Sequence, residues 1–282
     1  MIRVLALLLV LCFGISGLMY AGKSIDPSDF WKGSYCEQSS VVTPAANATA
    51  IRAKVDGKWN SYTLVPFPEA FWEWNKGRRQ EYLDIFREML EKGSEATRKP
   101  QLSGPHNGMV ATYGAARKDS AFKLNNAVKG MGFLPKAEKM DELISLLEAS
   151  MDAPLAEKLA VLDSLYSHAE DVFAVDRMAS LELYSEPGYT TQTFLNQMIN
   201  PACVTVFLDI PTYKVKQIAR LLHPDNPKLS EYERQACRYV NLIHSYFHGK
   251  FPRDYITVIY YSTEIYDSSP GRPDARGTKI SP

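Results

Sequence analysis

The residues whose types and spacing best suit chemistry are two histidines and a cysteine near the end of the chain. His244 and His248 lie four positions apart, and Cys237 precedes His244 by two helical turns. In a helix, this spacing places the three side chains along one stripe. Imidazole and thiolate together suit zinc or copper. The pattern therefore predicts a metal or haem site at Cys237, His244 and His248.

The same histidines also have a simpler interpretation, in which they border an apolar helical stripe and hydrogen-bond water or backbone. The sequence contains no HExxH, GxSxG or P-loop motif, and no GxGxxG follows a predicted strand. Metalloprotease, acyl-transfer, nucleotide-hydrolysis and dinucleotide chemistry therefore lack their usual motifs. We predict no catalytic residue and expect a protein that is not an enzyme.

A second motif, His223-Pro224-Asp225, lies between two stretches with helical spacing. The stretch before it carries apolar residues at Val215, Ile218, Ala219 and Leu222, and basic residues at Lys214, Lys216 and Arg220. This arrangement resembles part of a J-domain, in which a basic helix leads through an HPD loop into a second, antiparallel helix. The resemblance implies that His223, Pro224 and Asp225 contact an Hsp70 chaperone and stimulate its ATP hydrolysis.

The N-terminal segment indicates where the protein acts. Arg3 is followed by an uncharged apolar run over residues 4–21. Export machinery recognises such a start, so residues 1–22 are predicted to be a signal peptide or a membrane anchor. The run is long for a cleaved signal, and Met19 is too large for its position before a cut after Ala21. We expect the chain to be periplasmic or secreted, with membrane contact through this segment if it stays uncleaved.

Composition excludes two classes of protein and limits the disulfides. Hydrophobic residues make up 45% of the chain and aromatic residues 11%, which is too apolar for a disordered protein. Lys+Arg and Asp+Glu number 32 each, without the basic excess typical of nucleic-acid binding. Beyond the N-terminal segment, Cys36, Cys203 and Cys237 permit at most one intramolecular disulfide. Cys203 and Cys237 are predicted to be buried thiols or, alternatively, a bridge.

A small β-hairpin is predicted near the start of the folded part. Residues 23–50 are rich in Ser, Thr, Pro and Ala, which is typical of an irregular lead-in. Asp56 and Gly57 then separate two strand-like stretches, at 51–55 and 58–65. Asp-Gly between such stretches is a strong hairpin signal.

Helical spacing of apolar residues predicts that the middle of the chain is helical. The predicted helices cover residues 78–93, 136–151, 155–173, 175–184 and 190–199. Gly93 is placed to end the first of them. The second and third are joined by a short break that ends in Pro154, which predicts an antiparallel helix pair. A connection rich in Gly and Pro covers residues 94–115.

The C-terminal part is predicted to mix strands and helices. The strands cover residues 202–210 and 254–267, and the helices cover residues 212–222 and 231–248. The two strands are rich in β-branched and aromatic residues and are expected to pair with each other. Ser230 and Glu233 have the spacing of a capping box at the start of the last helix.

These elements predict an α+β fold that is predominantly helical, with a small N-terminal β-hairpin and one or two C-terminal strands. We expect a hairpin and helical region over residues 51–199 and a C-terminal helix/strand unit over residues 200–282. The predicted function is that of an extracytoplasmic, non-enzymatic binding or assembly protein with a protein or envelope partner and no nucleic acid. A metal- or haem-binding protein and a J-domain-like co-chaperone are the alternatives.

Overall fold

The computed structural model describes residues 25–117, 119–271 and 277–282. The predicted signal peptide or anchor, residues 1–22, lies outside these ranges. Within them, no helix combines the length and apolar character needed to cross a membrane. Helices hold 35% of the described residues and strands 31%. The prediction of a predominantly helical fold is therefore wrong, because the molecule is built around a large sheet.

Two short hairpins precede that sheet. The first joins β1 (Trp31–Lys32) to β2 (Tyr35–Cys36), and the second joins β3 (Ala50–Val55) to β4 (Lys58–Thr63). Asp56 and Gly57 form the turn of the second hairpin, with φ values of 49° and 78°. Both values are left-handed, a conformation that glycine adopts freely and that aspartate tolerates better than most residues. The Asp-Gly hairpin prediction is confirmed.

The main sheet is antiparallel, has eight strands among the described residues and curls into a half-barrel. Its strands are β5 (Asn107–Tyr113), β6 (Leu124–Gly130), β7 (Gly132–Pro135), β8 (Phe173–Glu182), β9 (Ala202–Phe207), β10 (Tyr213–Leu222), β11 (Ile256–Asp267) and β12 (Thr278–Lys279). The spatial order is β6-β5-β9-β10-β11-β8-β7, and β12 pairs with β11. Strands from both predicted units, 51–199 and 200–282, share this sheet.

The curl brings strands together that are not neighbours in the sheet. Lys129 of β6 and Glu182 of β8 form a largely buried ion pair of 2.6 Å. A bulge between Lys216 and Gln217 interrupts the pairing of β10 with β11, and bulges increase local twist and bending. The ion pair therefore joins β6, at one edge of the sheet, to β8, which is next to the opposite edge strand.

In the described part of the chain, six α-helices pack around the sheet. They are α1 (Glu69–Lys92), α2 (Met140–Ala149), α3 (Leu155–Ser167), α4 (Ala169–Val172), α5 (Gln192–Ile199) and α6 (Glu231–His248), with 3-10 turns at Pro27–Phe30, Gly93–Glu95 and Ala137–Lys139. Gly93 ends α1 with a φ of 55°, as predicted. The capping box of Ser230 and Glu233 at the start of α6 is also confirmed.

The predicted antiparallel helix pair is wrong, although both helices exist. Helix α2 packs mainly on α6, and α3 packs mainly on α1. Each helix therefore buries its apolar face against a partner that is distant in sequence. This arrangement places α1, α3 and α6 near one another.

Two predicted helices are strands. Residues 175–184 lie largely in β8, and residues 212–222 form β10. Tyr213 and Val215 alternate with less buried Lys214, but all residues from Gln217 to Leu222 are buried. A strand covered on both faces reads as a continuous apolar run, which imitates helical spacing. Since β10 lies between β9 and β11, the predicted pairing of those two strands is also wrong.

The buried core includes all three cysteines outside the N-terminal segment. Cys36, Cys203 and Cys237 are free thiols, so the alternative of a 203–237 bridge is wrong. Burial raises the pKa of Cys36 and of Cys237 to about 12. These thiols therefore stay protonated at neutral pH and behave as small core side chains.

Candidate ligand-binding site

A cavity of about 310 Å³ lies where α1, α3 and α6 approach the connection before β5. Helix α1 contributes residues at helical spacing, among them Arg79, Tyr82 and Phe86, so they share one face. Helix α6 contributes His244 and Phe247 from successive turns. The cavity is thus formed by side chains from elements that are far apart in sequence.

Most of the wall is apolar. Phe86 and Phe247 meet edge to face with ring centroids 5.0 Å apart, a favourable aromatic geometry. The other apolar or aromatic lining residues are Tyr82, Leu83, Pro100, Leu102, Pro105, Met131, Leu162, Tyr166 and Ile243. Among the described lining residues there is no carboxylate, serine, threonine, lysine or cysteine.

Three histidines converge on the cavity. The imidazole rings of His106 and His248 have centroids 6.4 Å apart. The Nε2 atoms of His106 and His244 both face Gly130, since a Cβ there would lie 3.5 Å from the first and 3.9 Å from the second. The Nδ1 of His244 lies 2.7 Å from the carbonyl oxygen of Val240. In neutral His244, Nδ1–H donates to that oxygen and Nε2 carries the lone pair.

Desolvation lowers the pKa of all three imidazoles. Desolvation lowers the pKa of His106 to about 3, and the positive charge of Arg79 acts in the same direction. Desolvation also lowers the pKa of His244 and of His248. The site therefore presents neutral nitrogen donors and acceptors at pH 7, within a wall that is otherwise apolar.

Arg79 supplies the positive charge of the cavity and is itself only 7% exposed. Its Nε donates to Asn75 Oδ1 at 2.7 Å, and its Nη2 donates to the carbonyl oxygen of Met131 at 2.9 Å. Its Nη1 donates to the Tyr166 hydroxyl at 3.3 Å, and its guanidinium carbon lies 4.9 Å from the Tyr166 ring centroid. All these partners are uncharged.

The adjacent Arg78 also lines the cavity but is neutralised. Its Nε lies 2.7 Å from Asp209 Oδ2, and its Nη1 lies 2.5 Å from Glu81 Oε2. These two carboxylates raise the pKa of Arg78, despite the opposing effect of desolvation. Only one of the two adjacent arginines therefore brings an unbalanced charge to the cavity.

The predicted metal site is assembled only in part. His244 and His248 line the cavity together, but Cys237 lies outside its lining and donates through Sγ to the carbonyl oxygen of Leu222 at 3.6 Å. In the part of the chain that is described, no group of three or more His, Cys, Asp or Glu side chains is placed to hold a metal ion. The set of Cys237, His244 and His248 is therefore not brought together.

The HPD motif lies elsewhere, in the turn between β10 and α6. His223, Pro224 and Asp225 line a separate cavity of about 590 Å³. His223 packs edge-on against Trp31 with centroids 5.8 Å apart, and its Nδ1 accepts from the Asp225 amide at 3.1 Å. The J-domain resemblance requires a helix before this turn, and the structure has strand β10 there. Contact of these three residues with a partner stays a prediction.

Sequence reasoning missed two residues of the cavity, Arg79 and His106. Arg79 lies three positions before Tyr82 and seven before Phe86, so it occupies the apolar stripe of a predicted helix. A charged residue on the apolar stripe of a predicted helix can indicate a buried functional site. His106 carried no local signal, because it lies in the connection rich in Gly and Pro and reaches the cavity only through the fold.

Comparison with known proteins gives little. No family model matches the chain, and no curated protein matches it. Among solved structures, the chain is similar to a protein related to a general stress protein of Bacillus subtilis, of the pyridoxinephosphate oxidase family, from Clostridium acetobutylicum. The identity is 9% and the TM-score 0.30, over 72% of this chain and 95% of that one. At that similarity neither fold nor function is transferred.

Proposed function

We propose that this chain is an extracytoplasmic binding protein that holds a small, mainly apolar molecule in the cavity between α1, α3 and α6. The single observation that carries the proposal is the cavity itself. Its volume of about 310 Å³ falls within the usual range for small-molecule sites, which are mostly apolar with a few fixed polar groups. Arg79, His106 and His244 are among the polar groups of this lining.

The chemistry of the lining supports binding rather than catalysis. A general acid or base acts best with a pKa near the working pH, whereas burial lowers the pKa of His106 to about 3. Among the described lining residues there is no carboxylate to orient an imidazole, and no serine, threonine or cysteine to act as a nucleophile. The polar groups are thus suited to orienting a ligand.

The location outside the cytoplasm rests on the sequence, through Arg3 and the uncharged run at residues 4–21. An apolar ligand has low solubility in water, so a carrier outside the cytoplasm would enclose it. The envelope partner predicted from the sequence would then be the source or the acceptor of this ligand.

The test is binding of the neutral, apolar fluorophore N-phenyl-1-naphthylamine to the purified full chain. We expect saturable fluorescence enhancement by the wild type. Ile243→Trp fills the cavity and should weaken binding by about tenfold or more. Leu146→Trp adds the same ring on α2 at a site that is 40% exposed, outside the cavity, and serves as the matched control. No enhancement by the wild type, or equal enhancement by both variants, contradicts the proposal.

A further inference from the structure

Buried arginines in this molecule fall into two groups. Among the described residues, three arginines are buried: Arg79, Arg177 and Arg220. Arg177 forms an ion pair of 2.6 Å with Asp176, and Arg220 forms one of 2.9 Å with Glu233. Arg79 has no Asp or Glu partner within 4.0 Å in the described chain. The guanidinium of Arg79 lines the cavity between α1, α3 and α6.

A buried charge without a counter-ion is unfavourable, and proteins commonly pair such charges. The described partners of Arg79 are an amide oxygen, a carbonyl oxygen, a hydroxyl and two aromatic rings. These groups solvate the guanidinium but bring no negative charge. A ligand with an acidic group would supply the missing charge.

We infer that the ligand of this cavity is an amphipathic monocarboxylate whose acid group binds Arg79; this inference rests on the proposed binding function. A guanidinium has five N–H donors, and three hydrogen bonds from Arg79 to described residues are formed. Two N–H groups remain, the number that a carboxylate accepts in a bidentate pair. The neutral imidazoles of His106 and His244 add hydrogen-bonding groups near this end.

A single negative charge fits better than two. Arg78, the second cation of the lining, is already paired with Asp209 and Glu81. His106 is held neutral by burial and by Arg79. A phosphate monoester, with close to two negative charges at neutral pH, would bring one charge that the described lining does not balance.

The rest of the cavity sets the size and character of the ligand. A volume of about 310 Å³ lies at the small end of the range for small-molecule sites. Phe86, Leu102, Ile243 and Phe247 offer an apolar surface to the part of the ligand beyond its acid group. A saturated carboxylate of medium chain length, such as octanoate, meets both conditions.

The experiment is isothermal titration calorimetry of the full chain with octanoate, 1-octanol and octyl phosphate at pH 7. We expect octanoate to bind at least about tenfold more tightly than octanol, because only the carboxylate brings a negative charge and two acceptor oxygens to Arg79. Equal affinities for octanoate and octanol, or tighter binding of octyl phosphate, would overturn the inference.

Variants of Arg79 test whether this residue causes the preference for octanoate over octanol. Arg79→Gln should remove the preference for octanoate, and Arg79→Lys should keep part of it through the charge alone. Arg87→Gln is the matched control, since Arg87 lies on the same helix, pairs with Asp84 and Asp163, and is absent from the lining. Binding of N-phenyl-1-naphthylamine shows that each variant still has its cavity. If Arg79→Gln keeps the full preference for octanoate, the inference is overturned. If the wild type does not bind the fluorophore, the proposed function is contradicted instead.

Discussion

Arg220 and Arg79 are equally buried, at 7% exposure each, but their surroundings differ. Arg220 donates to Glu233 Oε1 at 2.9 Å, to the carbonyl oxygen of Gln38 at 3.1 Å and to Thr43 Oγ1 at 3.1 Å. This network ties the lead-in to β10 and α6. Arg79 contacts only neutral groups and faces a cavity. A buried arginine that is paired with a carboxylate of the same chain can stabilise the fold. A buried arginine without such a partner can instead bind the acidic group of a ligand.

Glu233, the carboxylate that pairs with Arg220, shows the same difference between the two arginine sites. Glu233 pairs with Arg220 and also accepts from the Ser230 amide at 3.0 Å through its other oxygen. One side chain therefore joins a helix cap to a buried ion pair. No described carboxylate performs such a role beside Arg79, and this end of the cavity stays available.

The largest expected effect comes from breaking the Arg220 pair. Arg220→Met should lower the free energy of unfolding by about 3–5 kcal/mol, because it leaves Glu233 buried and without its counter-ion. Urea unfolding followed by circular dichroism measures the change. Adding Glu233→Gln removes the orphaned charge while retaining a residue able to cap the helix, so the double variant should recover part of the loss. A loss under about 1 kcal/mol in the single variant would show that the pair is not structural.

These two arginine sites also show how far the sequence could be interpreted. The hairpin at Asp56 and Gly57, the end of α1 at Gly93 and the capping box of Ser230 and Glu233 were all predictable, because each depends on residues close together in the chain. Local backbone preference and capping determine such features.

The sheet was not predictable in the same way. Strand β10 is buried on both faces beyond Gln217, so the period-two alternation that identifies a half-buried strand is lost. Residues 94–115 were predicted as a connection only, yet they contain β5 at Asn107–Tyr113. That strand is fixed by pairing with β6 and β9. Its position depends on long-range contacts rather than on local pattern.

Only part of the site could be predicted from the sequence, because some of its residues are brought together by long-range contacts. His244 and His248 share a helix face that the sequence identifies, whereas Cys237, about two turns earlier, contacts the carbonyl oxygen of Leu222 in the sheet. His106 joins the two histidines only because β5 and the connection before it are placed by the sheet. Arg79 was detectable as a charge on an apolar stripe, but its lack of a counter-ion is known only from the fold.

Lowering the pH should reduce the free energy of unfolding by an amount between those expected for the two arginine variants, because His106 is buried as a neutral side chain. His106 has a pKa near 6.5 when unfolded, and burial lowers it to about 3 in the fold. Well above pH 6.5, the His106 side chain is neutral in both the folded and the unfolded state. Below pH 6.5 the unfolded state binds a proton that the folded state does not, so stability falls by about 1.4 kcal/mol per pH unit. Between pH 6.5 and pH 5 the loss from this group is about 2 kcal/mol.

Urea unfolding at pH 7 and pH 5 measures this loss. His244 and His248 contribute in the same direction, since desolvation lowers the pKa of both. His106→Gln should reduce the dependence on pH, and the same change at exposed His168 controls for the substitution itself. If the wild type and His106→Gln lose equal stability on acidification, His106 is not the buried neutral group described above.

The smallest expected effect is on stability when Arg79 is removed, and this is the direct counterpart of Arg220→Met. Arg79→Met loses hydrogen bonds to Asn75 and the Met131 carbonyl, but it also removes a buried charge that lacks a described counter-ion. The two changes oppose each other, so the free energy of unfolding should shift by about 1 kcal/mol or less in either direction. Urea unfolding without ligand, compared with Arg220→Met under the same conditions, measures the difference. A loss as large as that of Arg220→Met would mean that Arg79 serves the fold as Arg220 does. A small shift together with lost octanoate binding means that the charge is retained for the ligand.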